Sequence, residues 1–155
     1  YRGPYKVSDT PAELSGMSVA EALLSPTRSF APVLDKLLTT LGDKIHALIH
    51  VTGGGLTKGS RFGPSDLCYL KETPFAVPLL FKLIQQHGKV SWREMYQVFN
   101  MGQRLEVYLP AADAPRVIET AKTFDIDAQI IGKVAKRGFN DPRVRVCHQT
   151  ETFDY

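Results

Sequence analysis

Three consecutive glycines, Gly53, Gly54 and Gly55, stand between His50 and Thr52 on one side and Leu56 and Thr57 on the other, directly after the apolar run at residues 45–49. Glycine loses more backbone freedom on folding than any other residue. Three in a row therefore point to positive φ angles or to something that approaches the backbone. A nucleotide P-loop needs two glycines five positions apart, followed by Lys and then Ser or Thr. Gly54 and Gly59 have the separation, but Ser60 follows them and Lys58 lies on the wrong side. A dinucleotide fingerprint fails as well, because Lys58 takes the place of the third glycine after Gly53 and Gly55. What the residues still allow is a phosphate cradle of unshielded backbone N–H groups at a strand end. The competing reading is a purely structural turn.

The other chemistry-bearing residues have plain alternatives. His46 and His50 would stand about 13 Å apart on a strand, too far to share one metal ion. His50, beside the glycines, is either a ligand contact or a structural histidine. Trp92, Tyr96 and Phe99 read as core packing, since a stacking platform for nucleic acid needs more interleaved basic residues than Arg93 and Arg104 supply. Asp125 and Asp127 fit a solvated turn. Cys68 and Cys147 have no catalytic companion, and two cysteines are too few for a disulfide framework or a zinc cluster. No catalytic nucleophile and no metal site are expected.

Periodicity supplies the elements that must position these residues. Ser18 and Glu21 have capping-box spacing before Ala22, Leu23 and Leu24, which predicts a short helix. Phe30, Val33, Leu34, Leu37, Leu38 and Leu41 recur at helical spacing, with Gly42 as the expected stop. Residues 44–51 alternate, with Ile45, Ala47, Ile49 and Val51 on one face of a strand that ends at the glycines. A second strand is expected at residues 66–70. The next helix spans 74–88, with Pro74 and Pro78 near its start and Gly88 at its end. Ser91 and Glu94 form a second capping box, and Trp92, Met95, Tyr96 and Phe99 face inward on the helix that follows. Leu105, Val107 and Leu109 alternate inward on a third strand. A helix at 113–124 and strands at 128–136 and 143–149 complete the chain, the last read as the final strand. This order suits an α+β domain with a mixed β-sheet packed with helices better than strict βαβ repetition.

The chain has 155 residues, 19 basic and 16 acidic, for a formal net charge of +3. That balance argues against a general nucleic-acid binder while leaving room for a local anion site. No apolar stretch approaches the roughly 20 residues that a bilayer span requires, and the polar start does not resemble a signal peptide. A cytoplasmic protein with no membrane partner is expected. The first residue is Tyr1, consistent with a processed end or a cut within a longer protein. Residues 1–16, with Pro4 and Pro11, read as a leading segment or the remnant of an interdomain connection, and residues 17–155 as one domain.

Several stretches taken together resemble one family. LLSPTRSF (23–30), HVTGGGLT (50–57), FKLIQQHGKVSWREMYQVFNMG (81–102) and AQIIGKV (128–134), in this order and spacing, look like the C-terminal domain of aminoimidazole ribonucleotide synthetase, also called phosphoribosylformylglycinamidine cyclo-ligase. The resemblance runs from about Gly16 to Lys136. It implies a step of purine biosynthesis in which ATP activates the formyl oxygen of formylglycinamidine ribonucleotide and an internal nitrogen closes the imidazole ring. It also implies an N-terminal domain, absent from this chain, that builds a homodimer and carries the ATP and magnesium sites.

The resemblance and the residue reading together assign the substrate phosphate to Thr52, Gly53, Gly54, Gly55 and Arg28, the last as a bidentate guanidinium. Thr27, His50, Asn100 and Gly102 are expected to line the same cleft. Gln103 and Arg104, where many members carry small apolar residues, and KGSRFGP (58–64) depart from the family pattern. The alternative is a stand-alone non-catalytic domain that binds a phosphorylated ligand or a partner chain.

Overall fold

The computed structural model describes residues 3–155; residues 1 and 2 of the expected leading segment lie outside them. Five α-helices and six strands follow in order: α1 (Val19–Leu24), α2 (Ala31–Leu41), β1 (Ala47–His50), β2 (Leu67–Lys71), α3 (Leu79–Gly88), α4 (Trp92–Val98), β3 (Leu105–Tyr108), α5 (Ala114–Lys122), β4 (Lys133–Lys136), β5 (Val144–His148) and β6 (Glu151–Asp154). β1 and β3 form an antiparallel ribbon. The other four strands form a sheet in the order β4-β2-β5-β6, in which β2 and β5 run parallel and the remaining pairs antiparallel. The architecture is α+β with a mixed sheet.

The first expected capping box forms in full. The Ser18 hydroxyl accepts from the Glu21 amide at 3.2 Å, and the Glu21 carboxylate accepts from the Ser18 amide at 2.8 Å. α1 then buries Val19 and Ala22 against Leu14 of the leading segment and Leu83 of α3. On α2, Val33, Leu37 and Leu41 form one buried stripe, and Val117 of α5 packs against it. The main core joins Met95 and Tyr96 of α4 to Tyr69 of β2, Val144 and Val146 of β5, and Leu56 and Met101 from the loops.

Several expectations are corrected. α2 does stop at Gly42, but Gly42 keeps right-handed angles, φ −48° and ψ −46°, and the chain runs on into a 3-10 turn. Residues 74–78 form no helix and α3 starts only at Leu79, because Pro78 disfavours helical angles at Val77. α3 ends through Lys89 at φ 52°, with Gly88 inside its last turn. Ser91 caps α4 by accepting from Glu94, but only this half of the second box forms. Met95 and Tyr96 are fully buried, whereas Trp92 and Phe99 reach only half-burial at the rim of the core. Residues 128–132 are not strand, and β6 adds a strand beyond the one taken as final.

The largest inversion lies on β3. The alternation points Leu105, Val107 and Leu109 inward, yet the buried residue is Glu106, 5% exposed. The reason is a partner on β2: Lys71, 3% exposed, donates to the Glu106 carboxylate.

Candidate functional site

β1 delivers the chain into the glycine turn, and the three glycines then do different work. The Gly55 amide donates to the Thr52 carbonyl at 3.1 Å, and the Thr57 amide to the Gly54 carbonyl at 3.1 Å. Gly54 at φ +93° and Gly55 at φ +50° hold left-handed conformations that favour glycine. A Cβ on Gly55 would stand 2.3 Å from the Tyr96 carbonyl oxygen and 2.6 Å from that of Phe99. Gly55 therefore lets the turn press against the end of α4. Its absent side chain serves the fold.

Gly53 and Gly54 are placed otherwise. Among the described residues their amides donate to no acceptor, and a Cβ on Gly53 would meet nothing within 4 Å. Together with Arg61, Ser91, Arg93, Glu94, Gln97 and Val98 they line a pocket of about 560 Å³. The 3-10 turn Gly55–Arg61 brings the Arg61 guanidinium back over Gly54, its central carbon 3.5 Å from where a Cβ would sit. Arg61 makes no ion pair among the described residues. Across the pocket the Arg93 guanidinium lies over the Tyr155 ring, 4.5 Å from its centroid. Arg143, at the foot of β5, anchors the far end of the turn by donating to the carbonyls of Ser60 and Gly63.

The other expected site residues are dispersed. Arg28 donates to the carbonyls of Phe124 and Asp125 and lines a second, larger cavity; it is not part of the glycine pocket. Thr27 is exposed in the loop before α2. His50 is exposed, its ring edge-on to Phe30. Lys58 donates to the His50 carbonyl at 2.9 Å and to the Thr52 hydroxyl, holding Thr52 beside the turn. Asn100 accepts from the Gly102 amide at 2.9 Å. Gly102, at φ +90°, packs on Pro78 and borders the larger cavity. Arg61 was missed by the sequence reading because it lies seven residues beyond Gly54. Only the intervening 3-10 turn folds it back.

The larger cavity, about 1100 Å³, separates the β1–β3 ribbon from β2 and β4. On its wall the buried Lys71–Glu106 pair is extended by Tyr108, whose hydroxyl donates to the second carboxylate oxygen of Glu106 at 2.5 Å. Burial lowers the Lys71 pKa despite the adjacent carboxylate, and burial next to that carboxylate pushes Tyr108 far upward. Elsewhere the Tyr96 hydroxyl bonds His148 Nδ1 at 2.9 Å, and Trp92 stacks on the same imidazole with ring centroids 4.5 Å apart. Among the described residues no three His, Cys, Asp or Glu side chains converge as a metal site, and no helix is long and apolar enough to cross a membrane.

Fold and site thus define an α+β domain whose glycine turn opens onto a pocket with two arginines. The chain is homologous to phosphoribosylformylglycinamidine cyclo-ligases. It is 40% identical over 129 residues to that enzyme of Methanococcus maripaludis, covering 81% of this chain and 36% of the relative. With the Methanocaldococcus jannaschii enzyme it shares 36% identity over 119 residues, 77% of this chain and 34% of the relative. With that of Symbiobacterium thermophilum it shares 32% over 146 residues, 93% and 41% respectively. The chain thus spans roughly a third to two-fifths of the length of these relatives. No family model matches it.

Proposed function

We propose that the chain is the C-terminal domain of a cytoplasmic phosphoribosylformylglycinamidine cyclo-ligase and forms one wall of its substrate cleft. The observation that carries this reading is the juxtaposition, within a homologue of those enzymes, of the unspent amides of Gly53 and Gly54 with the Arg61 guanidinium. Phosphate oxygens are well matched by oriented backbone N–H groups and a planar guanidinium. The proposed seat for the 5-phosphate of formylglycinamidine ribonucleotide is therefore Gly53, Gly54, Thr52 and Arg61. Arg28 lies on the larger cavity, bonded to the carbonyls of Phe124 and Asp125 and outside the glycine pocket, and the Gly55 amide is spent within the turn.

Ring closure in this reading needs no nucleophile from the chain. ATP supplies the activation of the formyl oxygen, and what the protein adds to a phosphoryl transfer is mainly positioning and electrostatic stabilisation. By holding the phosphate, the glycine turn fixes the substrate's far end and sets the reach of its formyl group. The described residues offer no carboxylate cluster that fits magnesium, so the proposal assigns ATP and metal to an N-terminal domain, together with the homodimer contacts.

The test is ADP release dependent on both ATP and formylglycinamidine ribonucleotide. It is measured with the 155-residue chain alone and then with an N-terminal domain of a relative supplied in the same polypeptide. Turnover is expected only in the second case. Turnover by the chain alone at the rate of the joined protein would overturn the two-domain reading.

A further inference from the structure

We propose that Glu94 is the specificity-determining residue of the glycine pocket, its carboxylate accepting from the vicinal 2- and 3-hydroxyls of a ribose 5-phosphate whose phosphate sits on Gly53, Gly54 and Arg61. This inference rests on the phosphate reading of that pocket and extends it from the anion to the sugar. The two capping boxes differ in one respect. In the first, the Glu21 carboxylate turns back to accept from the Ser18 amide at 2.8 Å. In the second, the Ser91 hydroxyl accepts from the Glu94 amide at 3.2 Å, but the Glu94 carboxylate does not return to Ser91. Among the described residues that carboxylate forms no ion pair either, although Arg61 and Arg93 line the same pocket. An acceptor with the spacing to close a cap is thus left open beside the glycine turn.

The place of Glu94 on α4 suits a sugar. Gly55 is pressed against the backbone of Tyr96, Gln97 and Phe99, so the glycine turn meets the C-terminal end of α4. Glu94 and Gln97, three positions apart on the helix face that lines the pocket, put the carboxylate's residue one turn, ~5 Å, back along the axis. That is the span of one sugar ring beyond the phosphate. At about 560 Å³ the pocket falls within the range of small-molecule sites and exceeds what a phosphate alone fills. An ionised carboxylate only accepts, so its complement is a pair of adjacent donors, which vicinal hydroxyls supply. Beside a bare phosphate, Glu94 contributes repulsion, offset by the guanidinium groups of Arg61 and Arg93. Beside a ribose phosphate, the same carboxylate gains charge-assisted bonds.

The experiment titrates the chain with ribose 5-phosphate, 2-deoxyribose 5-phosphate and inorganic phosphate, following the Gly53 and Gly54 amide resonances, and repeats this with Glu94→Gln and Glu94→Ala. Ribose 5-phosphate should bind about tenfold more tightly than its 2-deoxy analogue, the value of one hydrogen bond to a charged group. Glu94→Ala should abolish that preference, and Glu94→Gln, with one acceptor oxygen, should keep at most part of it. Inorganic phosphate should bind both variants at least as tightly as the unaltered chain, because a neighbouring negative charge is gone. Opposite responses to sugar and anion separate a direct contact from a general loss of structure. Equal binding of the two sugars to the unaltered chain, with inorganic phosphate still shifting Gly53 and Gly54, overturns the sugar reading and leaves the phosphate reading standing. A preference that survives in Glu94→Ala overturns it as well. No response of these amides to any of the three ligands overturns both readings.

Discussion

The α-carbon of Gly55 rests against the backbone carbonyl of Tyr96, so closely that a Cβ there would stand 2.3 Å from the oxygen. Neither backbone can yield cheaply, because Tyr96 is fully buried on α4 and Gly55 is fixed by its bond to Thr52. Gly55→Ala should cost about 2–5 kcal/mol, combining overpacking of about 1–3 with left-handed strain of about 1–2. Gly53→Ala, directed into open space, should stay within about 0.5 kcal/mol. Urea unfolding of both variants checks the contrast. Equal losses would refute the division of labour among the three glycines.

The Lys71–Glu106 pair gives a second prediction. Removing one partner leaves the other charge buried, which costs about 3–5 kcal/mol, whereas replacing both by apolar residues is often neutral. Lys71→Met and Glu106→Leu should each destabilise strongly, and the double variant should be more stable than either. A double-mutant cycle by denaturant unfolding measures the coupling. Additive losses would mean that the two side chains act independently.

This pair also shows where sequence reading stops. The capping box of α1, the strand leading into the glycines and the stripe on α2 rest on residues a few positions apart, and all three were legible. The burial of Glu106 depends on a lysine 35 residues away, so alternation alone selected its apolar neighbours. β6 carries only one large apolar side chain, Phe153, and exists because its backbone pairs with β5. The site was legible as a location, since the glycines mark it. Its arginine was not, because a 3-10 turn rather than local spacing carries Arg61 back over Gly54.

His148 makes stability pH-dependent. Burial under Trp92 and Tyr96 lowers its pKa below the ordinary value of 6.5, against the smaller opposite pull of Glu151. Between the lowered folded value and 6.5 the unfolded chain binds a proton that the folded chain does not. This contribution is therefore complete above 6.5, is lost as pH falls through the folded value, and levels off below it. The Tyr96 hydroxyl, pushed up to about 12 by burial, stays protonated throughout and accepts from Nδ1 once the imidazole carries both protons. Trp92 is the single tryptophan, so its emission, quenched by a stacked imidazolium, reports the titration. A fluorescence midpoint below 6.5 that disappears in His148→Gln is expected. A midpoint above 6.5 would reverse the sign.

The roles of Arg28 and Arg61 can be separated directly. Arg28 is held by the carbonyls of Phe124 and Asp125, a structural task that joins the loop before α2 to the end of α5. Arg61 has no ion-pair partner among the described residues and overlies Gly54, beside two amides with unspent donors. An anion in the pocket would gain charge-assisted bonds from Arg61 and none from Arg28, which borders the larger cavity and not the glycine pocket. Titration with ribose 5-phosphate should shift the Gly53 and Gly54 amide resonances. Arg61→Gln should weaken that binding about tenfold, roughly one charge-assisted hydrogen bond, with little change in unfolding, since an exposed side chain without partners contributes little to stability. Arg61→Lys should recover only part of the affinity, because an ammonium keeps the charge but loses the planar fork. Arg28→Gln should do the reverse, lowering the unfolding midpoint while leaving the phosphate affinity intact. If Arg28→Gln abolishes binding and Arg61→Gln does not, the anion sits in the larger cavity and the glycine turn is structural throughout.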